Sequence, residues 1–96
     1  MIRHMATATL RPDASEAEVE EFLAAVRSLR VEGMLAIAIE RGLGTRDGDA
    51  DLGLVADFED AEAFARYDRD TEHIRIRRDL AARILDGGSA CQIRID

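Results

Sequence analysis

The stretch Met34-Leu35-Ala36-Ile37-Ala38-Ile39 is apolar at every position. A strand with one face in water alternates apolar and polar side chains, so an unbroken apolar strand is expected to have both faces covered. The chain has 96 residues, enough for one small domain, 1–96, with a modest core. Helices from the same chain can cover one face of this strand. The other face needs a different cover.

The remaining segments supply the partners. Ile2, His4, Ala6, Ala8 and Leu10 alternate with Arg3, Met5, Thr7 and Thr9, a period of two that predicts a strand. Arg11-Pro12-Asp13 ends it, because proline cannot donate to a sheet ladder. Ser15 and Glu18 form a capping-box pattern. Behind them, Val19, Phe22, Leu23, Val26 and Leu29 give an amphipathic helix over roughly residues 16–30, with Glu16, Glu20, Glu21 and Arg27 on its wet side. Gly42 to Asp49 reads as a hairpin loop. Leu52, Leu54, Ala56 and Phe58 alternate with Asp51, Gly53, Val55 and Asp57, predicting a third strand. Asp60 caps a short helix carrying Phe64 and Tyr67, and Thr71 caps another running to about Leu85, stopped by Gly87-Gly88. Cys91, Ile93 and Ile95 alternate with Gln92, Arg94 and Asp96 in a fourth strand.

The order β-α-β-β-α-α-β is that of an α+β, ferredoxin-like domain: a four-stranded antiparallel sheet with helices on one face. A second copy of the sheet is the simplest cover for the open face, since symmetric homodimers are the commonest oligomers. Sheet-to-sheet packing in a homodimer is therefore expected.

Composition removes several kinds of function. Twenty acidic residues outnumber thirteen basic ones, for a formal charge of −7, the opposite of a nucleic-acid footprint. No apolar run approaches the roughly 18 residues of a membrane span, and Met1 to Leu10 lacks a signal-peptide profile. The single cysteine, Cys91, is expected as a buried structural thiol in a reducing cytoplasm. All basic residues are arginine, so no lysine can form a Schiff base. The glycines match neither the P-loop nor the dinucleotide-binding pattern. The arginines between Arg66 and Arg83 are interleaved with Asp68, Asp70, Glu72 and Asp79, a salt-bridged helix surface.

Chemistry then rests on His4 and His73, the side chains that titrate near neutrality. On a regular helix His73 shares a stripe with Ile76, Arg77, Leu80 and Ile84. The positive end of the helix dipole lowers an imidazole pKa, leaving a neutral base near pH 7. The alternative is that His73 merely packs the helix end. His4 shares its strand face with the small Ala6 and Ala8, which leave volume beside it; a lone histidine on an apolar face is otherwise most often a core residue. The Tyr67 hydroxyl needs a partner if buried, and His73 is a reasonable one; otherwise Tyr67 is a packing aromatic. Arg77 either meets an anionic substrate group or extends to solvent. Metal binding competes for the two histidines, with Asp68, Asp70 or Glu72 beside them, but no pair has the helical spacing of a zinc site. No metal is expected.

Together, Met1-Ile2-Arg3-His4-Met5, Asp13-Ala14-Ser15-Glu16, the Val55-Ala56-Asp57-Phe58-Glu59-Asp60 junction and His73 resemble the stress-responsive α/β-barrel (Dabb) domain family. The resemblance covers essentially the whole chain and implies a dimeric α/β barrel. One branch, of the olivetolic acid cyclase type, closes poly-β-ketones without metal or cofactor. By that resemblance His73 corresponds to the catalytic histidine, Tyr67 to its supporting tyrosine at the same six-residue spacing, and His4 to the strand-1 histidine. A further pocket histidine of that branch falls at Leu52, and its His-Pro-x-His motif is reduced to Asp70-Thr71-Glu72-His73.

Two functions follow as expectations. The first is a cofactor-free lyase, cyclase or isomerase acting on a small hydrophobic or polyketide-like carbonyl compound. Here His73 is the base, Tyr67 its support and His4 the donor to the developing oxyanion, and Phe22, Val26, Leu52, Leu54, Leu80 and Ile84 line the pocket. The second is a non-catalytic, stress-associated homodimer that holds a ligand or fills the same space with side chains. A closed, filled interlayer space argues for the second.

Overall fold

The computed structural model describes residues 1–96. The first two alternating segments form β1 (Ile2–Leu10) and β3 (Leu52–Phe58), and the unbroken apolar run, extended to Arg41, forms β2 (Met34–Arg41). Helix α1 (Glu16–Arg27) lies between β1 and β2, and α2 (Ala61–Asp68) follows β3. The chain then runs through α3 (Thr71–Ile76), a π-helical segment (Arg77–Ala81) and α4 (Ala82–Ile84) into β4 (Leu85–Arg94). The strands lie in the order β2-β3-β1-β4, all pairs antiparallel. This is the α+β, ferredoxin-like arrangement. The molecule measures 17 Å along its shortest axis, room for one helical layer on one sheet. No helix is long and apolar enough to cross a membrane.

Local chemistry sets the helix starts. The Ser15 hydroxyl accepts from the Glu18 amide at 3.1 Å and the Glu18 carboxylate accepts from the Ser15 amide, closing the capping box. Asp60 caps α2 by accepting from Ala63 N–H at 2.9 Å. Helix α3 is capped by Asp70, not Thr71: the Asp70 carboxylate accepts from His73 N–H at 3.0 Å. The turn into β2 needs glycine. Gly33 has φ +88°, and a Cβ there would stand 2.5 Å from that of Ala63.

The end of the last helix differs from expectation. The helix stops at Ile84, and Gly87-Gly88 lie inside β4. Gly88 pairs with Ala8, and a Cβ at this position would collide with the Thr7 carbonyl. Gly87 takes φ +91° beside a register shift between Ala8 and Leu10. These glycines let β4 approach β1 closely, which a helix stop does not require.

Val19, Leu23, Phe58, Ile76 and Ile84 are the most deeply buried large side chains and fill the space between helices and sheet. The opposite sheet face is bare in the protomer. It exposes Val55 at 42%, Ile93 at 45% and Leu35 at 55%. At one end of this face Arg3 donates twice to the Asp57 carboxylate, at 2.8 and 3.0 Å. Cys91, paired with Met5, is also on this face and exposed. The buried thiol expected from the sequence is thus corrected: in β4 it is Gln92 and Ala90, paired with His4 and Ala6, that look toward the helices.

Candidate active site

Small side chains create the site. On the inner face, between β1 and β4, Ala6 pairs with Ala90 and Ala8 with Gly88, so at these two pairs no side chain is longer than a methyl group. The π-helical segment keeps the facing helix wall small as well. Ala82 N–H bonds to the Arg77 carbonyl, five residues back, which inserts one residue into the helical repeat. The stripe that starts at His73, Ile76 and Arg77 therefore continues through Ala81 and Ala82, and Leu85, the first residue of β4, closes that wall. The result is a cavity of about 780 Å³ with both histidines in its wall.

Of the six lining residues expected from the sequence, Phe22, Val26, Leu52 and Leu54 line this cavity. Leu80 and Ile84 do not. Both are buried in the core, 7% and 0% exposed, because the inserted residue turns them off the stripe that a regular helix would give. Arg77 reaches the cavity wall next to Asp68, 3.8 Å away. Of the other helix arginines, Arg69, Arg75 and Arg78 pair with nearby carboxylates as expected, while Arg66 donates to the Glu32 backbone carbonyl and Arg83 forms no ion pair.

The two imidazoles are held in opposite hydrogen-bonding states. His73 Nδ1 lies 2.8 Å from the Tyr67 backbone carbonyl. A carbonyl can only accept, so Nδ1 carries the proton and Nε2 keeps its lone pair. His4 Nδ1 accepts from the Gln92 side-chain amide at 2.9 Å, which puts the His4 proton on Nε2. One ring is thus a base and the other a donor.

Tyr67 touches both. Its ring stacks on His73 at 4.0 Å between centroids and lies 5.9 Å from His4, while Phe64 packs 5.1 Å from His4. The expected bond between the Tyr67 hydroxyl and His73 is replaced by one that His73 Nδ1–H donates to the Tyr67 backbone carbonyl. Helix α2 ends at Asp68, so the Tyr67 carbonyl receives no bond from a further helical turn; it accepts from the Asp70 amide at 3.2 Å and, with its second lone pair, from the His73 ring. Burial pushes the Tyr67 phenol up to about 12, so it stays protonated at neutral pH.

Gln92 was missed because its place in the tail reads as the polar side of a half-exposed strand. Register, set by pairing with β1, puts it inside. Arg11 was read only as a strand terminator, yet it also lines the cavity. No group of three or more His, Cys, Asp or Glu side chains is placed to hold a metal ion.

Both histidines titrate below the ordinary 6.5. For His4 burial is the main cause and the neighbouring His73 adds to it. For His73 burial again dominates, opposed by the Tyr67 carbonyl bond and reinforced by Arg77. The dipole expected from the sequence is not needed for this shift. Just below the ordinary pKa the unfolded chain binds more protons than the folded one. The stability these neutral rings contribute is therefore full above pH 6.5 and is lost as the pH falls below it toward the folded-state values. Urea midpoints measured from about pH 8 down to about pH 5 are expected to decline, and the combined variant His4→Gln, His73→Gln to flatten that decline. An equal slope in the variant places the acid sensitivity in other groups.

Comparison with known proteins agrees with this architecture. A dimeric ferredoxin-like protein of unknown function from Thermobifida fusca superposes with a TM-score of 0.89 at 24% identity, over 98% of this chain and 90% of its own. A hydroxynitrile lyase from Passiflora edulis gives 0.85 at 12% identity, over 99% and 93%. SnoaB, a cofactor-independent oxygenase from Streptomyces nogalater solved as its N63A mutant, gives 0.73 at 21% identity, over 98% and 91%. At these identities the likeness is one of fold. No curated protein matches the sequence. The model of the stress-responsive A/B barrel domain matches residues 2–87. With nearly its whole length matched, the chain belongs to the stress-responsive A/B barrel domain family.

Proposed function

We propose that the protein is a cofactor-free lyase or cyclase of small hydrophobic carbonyl compounds, polyketide-like substrates included. The observation that carries this reading is the pair of imidazoles on one apolar cavity, one presenting a lone pair and the other an N–H. His73 Nε2 removes a proton from the carbon α to a carbonyl. The bonding pair moves to the carbonyl oxygen, and His4 Nε2–H donates to the enolate oxygen where the charge develops. The enolate carbon then attacks a second carbonyl in the same molecule, and the imidazolium of His73 returns its proton to the new alkoxide. Tyr67 is a positioning residue: its carbonyl fixes the His73 tautomer and its ring fixes the imidazole plane.

The working unit in this proposal is a homodimer joined through the bare sheet faces, in a reducing cytoplasm that suits the single thiol. The exposed Val55, Ile93 and Leu35 support this, as does the description of the Thermobifida fusca relative as dimeric.

Deuterium exchange tests the chemistry. Ketones from acetophenone upward are incubated with the protein in D2O and followed by NMR. Saturable, protein-dependent exchange at the α-carbon is expected. Its absence across the panel would leave the cavity as a ligand holder, the competing reading.

A further inference from the structure

The charged groups of the cavity point to the kind of molecule it takes. On a chain of net charge −7, this wall carries two guanidinium groups, Arg11 and Arg77, against one carboxylate, Asp68. Arg11 forms no ion pair within the chain, and Arg77 is held by Asp68 only at 3.8 Å. Two neighbouring helix arginines show what a settled pair looks like here: Arg75 and Arg78 meet Glu72 and Asp79 at 2.6 and 2.8 Å. Arg77 also opens the π-helical segment and follows His73 by one turn, so its guanidinium and the base share one wall. Planar guanidinium groups at the edge of an apolar cavity fit a carboxylate in two-pronged geometry.

We propose that the preferred ligands are small carboxylates with an apolar body, and that Arg77, aided by Arg11, selects them by displacing Asp68 from its loose contact. This rests on reading the cavity as the substrate site and adds the substrate class. With the carboxylate on Arg77, the carbon chain lies along the stripe toward His73, which orients the proton to be removed.

The test uses the full chain and binding alone. Calorimetric titration compares 3-phenylpropanoate with its methyl ester, which has the same body without the charge. The acid is expected to bind at least about tenfold tighter. Arg77→Gln is expected to close most of that gap. Asp68→Asn is expected to widen it by releasing Arg77, which a merely structural role for the pair would not do. Equal affinity of acid and ester, a preference that survives in Arg11→Gln with Arg77→Gln, or no binding of either up to solubility overturns the proposal. Acetate competing as strongly as the phenyl acid also overturns it, since that assigns a surface charge effect without the cavity. Because nothing here is turned over, its failure is separate from failure of the exchange assay.

Discussion

Replacing His73 with alanine is expected to lower protein-dependent α-proton exchange by about 10²–10⁴-fold, the usual contribution of a positioned general base. The fold should survive, because the ring is only half-buried and Asp70 caps α3 through the backbone amide of residue 73, which alanine keeps. A circular dichroism spectrum and a urea midpoint close to those of the parent establish that point. Tyr67→Phe sharpens the result. The resemblance to the cyclase branch implies that the tyrosine side chain supports the histidine, whereas here the backbone carbonyl holds it. Tyr67→Phe keeps the carbonyl and the stacked ring, so exchange is expected to stay within about threefold of the parent, far short of a general-base loss. Unchanged exchange in His73→Ala would end the assignment of the base. A hundredfold loss in Tyr67→Phe would give the hydroxyl a direct part in the reaction.

The second large effect concerns assembly. Val55 stands on the bare sheet face between Met5 and Ala38, its partners in register. In a symmetric interface each substitution occurs twice. Val55→Asp would bury unpaired charge on both sides, and the dimer dissociation constant is expected to rise by at least about 100-fold. Sedimentation at micromolar concentration should then show a monomer with the secondary structure of the parent, since Val55 takes no part in the protomer core. A Val55→Asp protein that remains dimeric places the interface elsewhere. A parent protein that sediments as a monomer removes it altogether.

Features governed by a few neighbouring residues were legible in the sequence. The alternation of β1 and β3, the Ser15–Glu18 capping box and the Asp60 cap are local patterns with local causes, and each is found where it was expected. The two histidines and the volume left by Ala6 and Ala8 were legible for the same reason. What depends on distant partners was not. Whether Cys91 or Gln92 faces the helices is decided by which residue of β1 each one meets. Whether Leu80 or Ala81 faces the cavity is decided by one extra residue in a helical turn, which periodicity counted at 3.6 residues cannot register. The bond that His73 donates to the Tyr67 carbonyl ends on the backbone, which leaves no mark in the identity of residue 67.

That extra residue also bears on how the chain can vary in length. Were Arg78, exposed on the outer side, deleted, the turn would relax to an ordinary α-helix and Ala81 would move up one place in the count, while Leu85 is held by its pairing with Leu10. They would still arrive at the same wall. The surplus is thus slack that the hollow does not depend on: one residue more or less is absorbed as a looser or tighter winding, while the side chains that shape the interior keep their posts.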